Sequence, residues 1–199
     1  MVTDVRGDFR AHLLEAATGV LERFPLELRP QIYALSFHIW RVDDDYRRPY
    51  VAIGYNTETQ YEAERRLADP GEARWNYACW LLDGFETLGN CPEDPVGGAL
   101  YAEETGRLGL RFDGDGDDAE LDARTDLLML HFADACIQLA RDLHAGDRIE
   151  KVLGRPLPVV VFDMYCPGWE VEATEAANPP GLIEEFLAWQ RAAEEVEEV

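Results

Sequence analysis

A chain of 199 residues with 47% apolar side chains is long enough to bury one core, about 70% of its extended surface, and short enough for a single domain over 1–199. Its 18 Lys and Arg against 40 Asp and Glu leave a formal charge of −22, a sign that repels nucleic acid and anionic membranes. No apolar run reaches the ~18 residues of a membrane span, and Asp4, Arg6, Asp8 and Arg10 break up any leader-like start, so a soluble cytoplasmic protein is expected.

From Asp4 to Phe24, Phe9, Leu13, Ala16, Ala17, Val20 and Leu21 recur at three- and four-residue steps, the mark of an amphipathic helix that Pro25 ends. Tyr33, Leu35, Phe37 and Ile39 alternate with Ala34, Ser36 and His38, and an apolar run follows from Tyr50 to Tyr55. These predict two strands of a hairpin joined by the charged loop Val42 to Arg48. Thr57 with Gln60 three residues on forms a capping box for a short helix through Leu67, closed by Asp69-Pro70-Gly71. The aromatic-rich run Arg74 to Leu82 predicts a third strand, with Trp75 and Tyr77 on one face and Trp80 on the other.

Residues Asp83 to Gly116 are rich in glycine and read as irregular, with a short helical turn over Gly98 to Thr105. Asp117 to His144 carries apolar residues at helical spacing and predicts the longest helix; Leu127, Leu130 and Ile137 widen its apolar face, which predicts packing on two sides. Gly146 breaks it, and Asp147 caps a short helix through Leu153. Pro158 to Phe162 is an unbroken apolar run that predicts a strand buried on both faces at the centre of the sheet. Asn178 followed by Pro179 and Pro180 predicts the cap of a C-terminal helix whose buried side carries Leu182, Ile183, Phe186, Leu187 and Gln190. Its glutamate-rich end, about residues 191–199, is expected to fray because carboxylates oppose the helix dipole. Strands cluster and helices surround them without strict alternation. The fold class is therefore α+β, with a mainly antiparallel sheet of four or five strands and one long central helix.

Asp113-Gly114-Asp115-Gly116-Asp117 alternates carboxylates as a calcium loop does, yet Asp118 stands where that loop needs glycine and Arg124 where it needs glutamate. An acidic turn that caps the long helix fits better. Cys79, Cys91, Cys136 and Cys166 are scattered without a Cys-x-x-Cys pair, which argues for free buried thiols and against a zinc site or a disulfide framework. His131 and Cys136 are five residues apart, about 140° around a helix, so they form no dyad. Phosphate-binding, dinucleotide, zinc-hydrolase and serine-hydrolase motifs are missing from the sequence, and neither a cofactor nor a metal is expected.

Tyr50-Val51-Ala52-Ile53-Gly54-Tyr55-Asn56-Thr57-Glu58, Arg74-Trp75-Asn76-Tyr77-Ala78-Cys79-Trp80, and Leu157 to Asp163 followed by Asn178-Pro179 resemble bacterial domain-of-unknown-function family 4303 over about residues 10–185. Cys79 departs from the acid that the family often places before its second tryptophan. The resemblance supplies no catalytic residues. In size, acidity and fold class the chain is similar to immunity proteins of bacterial toxin systems.

The resulting expectation is a non-catalytic binding protein, of immunity type, that neutralises a basic protein partner. Its contacts would come from Asp113, Asp115, Asp117, Asp118, Glu120 and Asp122, with Arg74, Trp75 and Trp80 as aromatic anchors. The alternative is an enzyme or small-ligand protein whose site gathers His38, Asp163, Tyr165 and Trp169 from loops after strands.

Overall fold

The computed structural model describes residues 8–80, 82–112, 118–163 and 168–197. Its four strands are β1 (Ile32–Arg41), β2 (Pro49–Thr57), β3 (Leu82–Gly89) and β4 (Val159–Asp163), in the order β3-β2-β1-β4. β2 pairs antiparallel with both β1 and β3, while β4 runs parallel to β1. The fold is α+β with a four-stranded, mostly antiparallel sheet, at the lower end of the expected strand count.

Strand alternation divides the chain between two cores. Leu35, Phe37 and Ile39 of β1 lie level with Tyr55, Ile53 and Val51 of β2, and Leu35 and Phe37 with Val159 and Val161 of β4, so this face is apolar up to the level of Asp163. Against it pack α1 (Phe9–Arg23), α4 (Pro95–Arg107), α5 (Asp118–Ala145) and α6 (Arg148–Leu153). Val160 and Phe162 turn to the other face. There they meet Trp75 of α3 (Pro70–Trp75), Trp80, and Ile183 and Phe186 at the start of α8 (Glu184–Glu197), with Tyr61 of α2 (Glu58–Glu64) alongside.

The region expected as the third strand is helical. Asp69 accepts from the Gly71 and Glu72 amides, and Pro70 occupies the first helical position, where its missing N–H is of no consequence; together they override the strand preference of the aromatics. A 3-10 turn, Tyr77–Cys79, follows, and the strand itself begins at Leu82, the last residue of that run, and continues to Gly89 within the stretch that reads as irregular. Trp75 and Trp80 consequently share one core instead of taking opposite faces. The turn expected near Gly98 to Thr105 is part of a full helix, α4, capped by Asp94.

β4 is buried on both faces as expected, yet it lies at the sheet edge, not at the centre. Its outward backbone groups are met by α7 (Glu170–Ala177) and the residue after it. Asn178 Oδ1 accepts from the Val159 amide at 2.8 Å, its Nδ2 donates to the Val159 carbonyl at 2.7 Å, and Thr174 Oγ1 accepts from the Val161 amide at 3.0 Å. Asn178 thus covers an edge rather than capping the C-terminal helix, which starts at Glu184. Asp147 precedes α6 as expected but with φ 53° and no side-chain cap bond. Of the residues that widen the apolar face of α5, Ile137 packs partly buried against the core that holds Leu128, Phe132, Ala135 and Leu139, whereas Leu127 and Leu130 are 54% and 61% exposed, so the second side is open at those two positions.

Candidate functional site

The carboxyl ends of the parallel pair β1 and β4, the β1–β2 turn and the end of β3 all lie at one end of the sheet, the position at which such sheets usually present loops to a ligand. Val42 to Asp45 forms a tight turn closed by the Asp45 amide donating to the Val42 carbonyl at 3.0 Å. Both central residues, Asp43 and Asp44, have positive φ (55° and 58°), as a type I′ hairpin turn requires and as aspartate tolerates. A second turn follows at once, with the Arg48 amide donating to the Asp45 carbonyl at 2.9 Å, and it projects Arg47 and Arg48 from the hairpin.

Those two side chains and Arg111 line a cleft of about 250 Å³ whose one carboxylate among the described residues is Asp45 and whose apolar wall includes Phe112 and Leu128. Arg47 grips Asp45 with Nε and Nη2 at 2.8 and 2.9 Å, and that contact holds the Asp45 carboxyl below its ordinary range. Arg48 reaches Asp43 at 3.3 Å, a contact whose acid is 85% exposed and therefore weak. Arg111 forms no ion pair among the described residues. Tyr101, 1% exposed, borders the cleft, and its hydroxyl finds no hydrogen-bond partner among the described residues.

Beneath this end, Arg41 and Asp163 form a buried ion pair at 3.7 Å, and the Arg41 guanidinium lies 4.4 Å from the centroid of the Tyr46 ring. His38 takes the opposite face of β1. It stacks on Trp40 with ring centroids 5.1 Å apart and packs on Tyr77 at 4.8 Å, level with Phe162. His38 and Asp163 therefore do not converge, because adjacent residues on neighbouring strands face opposite ways. Trp169 packs against the first core, and Tyr165 lies outside the described residues.

The Trp75 and Trp80 rings are interior, 5% and 6% exposed, so they are not surface anchors, while Arg74 is half-buried. The Arg74 guanidinium sits 4.2 Å from the Tyr33 ring centroid, is held by both Glu58 oxygens at 3.2 Å and reaches Glu185 at 3.3 Å, tying α2, α3 and α8 together. The Arg74 carbonyl accepts from Trp80 Nε1 and the Tyr33 hydroxyl. Of the acidic stretch, Glu120 and Asp122 lie exposed on the first turns of α5. The Asp118 backbone begins that helix, while Asp113, Asp115 and Asp117 lie outside the described residues, as does the calcium-like alternation they form.

Cys136 is fully buried, and its thiol is pushed up by burial and by the nearby Asp163 charge; burial also raises Cys79 and Cys91. All three are free thiols that stay protonated at neutral pH and are poor nucleophiles. His131 lies 3.0 Å from Glu104, separate from Cys136. Among the described residues no group of three or more His, Cys, Asp or Glu is placed to hold a metal, and no helix is long and apolar enough to cross a membrane.

The cleft arginines are what sequence reasoning passed over. Arg47-Arg48, an uninterrupted basic doublet in the hairpin loop of a strongly acidic chain, was the available signal. No protein-family model matches the chain, and neither the curated proteins nor the solved structures contain a match to it.

Proposed function

We propose that this chain is a non-catalytic binding protein that engages a basic protein through the outer face of α5. One observation carries the reading: Leu127 and Leu130, 54% and 61% exposed, stand on a helix face that also presents Asp122 and Asp126 to solvent, with Glu120 and Asp134 beside them in ion pairs with Arg124 and Arg10. Apolar side chains rimmed by charge are the composition of a docking surface, with the leucines supplying contact area and the acids steering the encounter. The sign of the rim selects the partner. A second copy of this chain would bring like charges together, whereas a cationic protein would lose repulsion and gain attraction. Occlusion of a basic enzyme, as an immunity protein performs it, is the specific form of this proposal. In sequence, Asp113, Asp115 and Asp117 immediately precede this helix.

The test is affinity capture from a lysate of the source cells with three baits: the native chain, Leu127→Asp/Leu130→Asp and Asp122→Lys/Asp126→Lys. The expected result is one basic protein held in equimolar complex by the native bait. The leucine variant is expected to weaken binding roughly tenfold or more, and the lysine variant to slow association and flatten its salt dependence. Capture that is unchanged in the leucine variant would sink the proposed face, and native association equally fast at low and high salt would sink the steering.

A further inference from the structure

We propose that the cleft beside the β1–β2 turn is a binding site for a small phosphomonoester, with its dianionic head held between Arg48 and Arg111 and its organic part on Phe112 and Leu128. The local charge runs against that of the molecule. In a chain with 18 basic and 40 acidic side chains, the described residues lining this cleft include three arginines and one aspartate.

The aspartate does not cancel the excess evenly. Asp45 is engaged by Arg47 through two charge-assisted hydrogen bonds, which leaves Arg48 with its long contact to an exposed acid and Arg111 without an ion pair among the described residues. Two guanidinium groups with spare donors match the two charges and three terminal oxygens of a phosphomonoester, and each guanidinium can bind two of those oxygens at once. Asp43 and Asp44 of the same turn are exposed to solvent, and the field of the acids farther off decays over about 8 Å at physiological salt while the arginines act at contact.

The wall supports an ester more than a bare ion. Leu128 is 2% exposed and fixed by the main core, and Phe112 sits beside it in the lining, so an aromatic or aliphatic group entering beneath the phosphate meets a surface already ordered. Tyr101 borders the same cleft, and its hydroxyl is buried without a hydrogen-bond partner among the described residues. A buried hydroxyl in that state is unusual in a finished interior. The cleft volume of about 250 Å³ fits a single-ring or short-chain ester and is too small for a dinucleotide.

Phenyl phosphate and inorganic phosphate are the probes, titrated calorimetrically into the full chain at constant ionic strength with sodium chloride as the balancing salt. Saturable one-to-one binding of phenyl phosphate is expected, roughly tenfold tighter than inorganic phosphate because the ring covers apolar wall. Arg48→Gln and Arg111→Gln should each weaken it roughly tenfold or more. Arg48 and Arg111 both lie outside the helices and strands, so circular dichroism should confirm folded variants. Asp122→Lys, on the α5 face, should leave the affinity unchanged, which separates this site from the protein-docking surface. Absence of saturable binding, or binding that survives Arg111→Gln, would overturn the proposal. Equal affinity for the two probes would remove the ester.

Discussion

Asn178 shows how one side chain replaces a missing strand. The outer edge of β4 presents the Val159 amide and carbonyl, and a carboxamide offers a donor and an acceptor with the spacing of a peptide group, so a single asparagine satisfies both and also donates to the Thr174 carbonyl at 2.7 Å. His144 Nε2 lies 3.3 Å from the same Oδ1, and burial lowers the His144 pKa against the small opposing effect of that contact, so the ring is neutral at pH 7 and acts as a donor. Alanine at 178 would strand a backbone N–H and C=O in a dry place, at ~1–3 kcal/mol each, with part of the loss relieved by relaxation. Asn178→Ala is therefore expected to lower unfolding stability by about 2–4 kcal/mol, measured in urea, with no change in the slope of the transition. A loss below ~0.5 kcal/mol would mean that water reaches this edge and that α7 is not its cover.

Elements whose apolar period matched their geometry were legible from residues alone: α1, α5, and the β1–β2 pair with its charged turn. Those set by a cap or by a neighbour were not. α3 is decided by Asp69-Pro70, two residues whose effect outweighs the aromatics after them, and β3 is disguised by Gly84 and Gly89, both at positive φ, and by the charged Glu86. The edge position of β4 was hidden because α7 makes that edge as dry as a strand interior, and burial is what an unbroken valine run reports. At the site, the paired-off Arg41 and Asp163 and the convergence of Arg111 with Arg47 and Arg48 depend on contacts between segments distant in sequence. The leucines of α5 mark the clearest split. Periodicity cannot separate Leu127 and Leu130 from Leu128, yet the first two are 54% and 61% exposed and the third is 2% exposed. Leu128→Ala is expected to cost about 2–5 kcal/mol, whereas Leu127→Ser and Leu130→Ser should each stay within ~0.5 kcal/mol. Thermal unfolding of the three variants would decide it, and a large loss from either serine would show that α5 is covered on both sides.

At the scale of the whole molecule the decisive quantity is the charge of −22 carried by one compact chain. Unpaired acids repel one another across the native surface, and unfolding relieves that repulsion by moving them apart, so the folded state is destabilised at low ionic strength. Ion pairs act in the opposite sense: Arg10 with Asp134 at 2.7 Å, Arg23 with Glu86 at 2.5 Å and Arg148 with Glu15 at 2.9 Å lose attraction as salt is added. The magnitudes favour the first effect, because exposed pairs contribute ~0–1 kcal/mol each and their number is limited by 18 basic residues, while the excess acids interact with one another over the entire surface. Screening length falls from about 30 Å at 0.01 M to about 8 Å at 0.15 M, so most of the relief should come within that interval. The melting temperature is accordingly expected to rise by roughly 3–10 °C between 10 mM and 500 mM sodium chloride, equivalent to ~1–3 kcal/mol, and to level off above physiological salt. Chloride is the necessary choice, since phosphate would also occupy the arginine cleft and sulfate strengthens apolar burial in any protein. A melting temperature that fell with added chloride would mean that the ion pairs outweigh the repulsion, and that the acids of α5 are held in local pairs instead of projecting a field towards a basic partner.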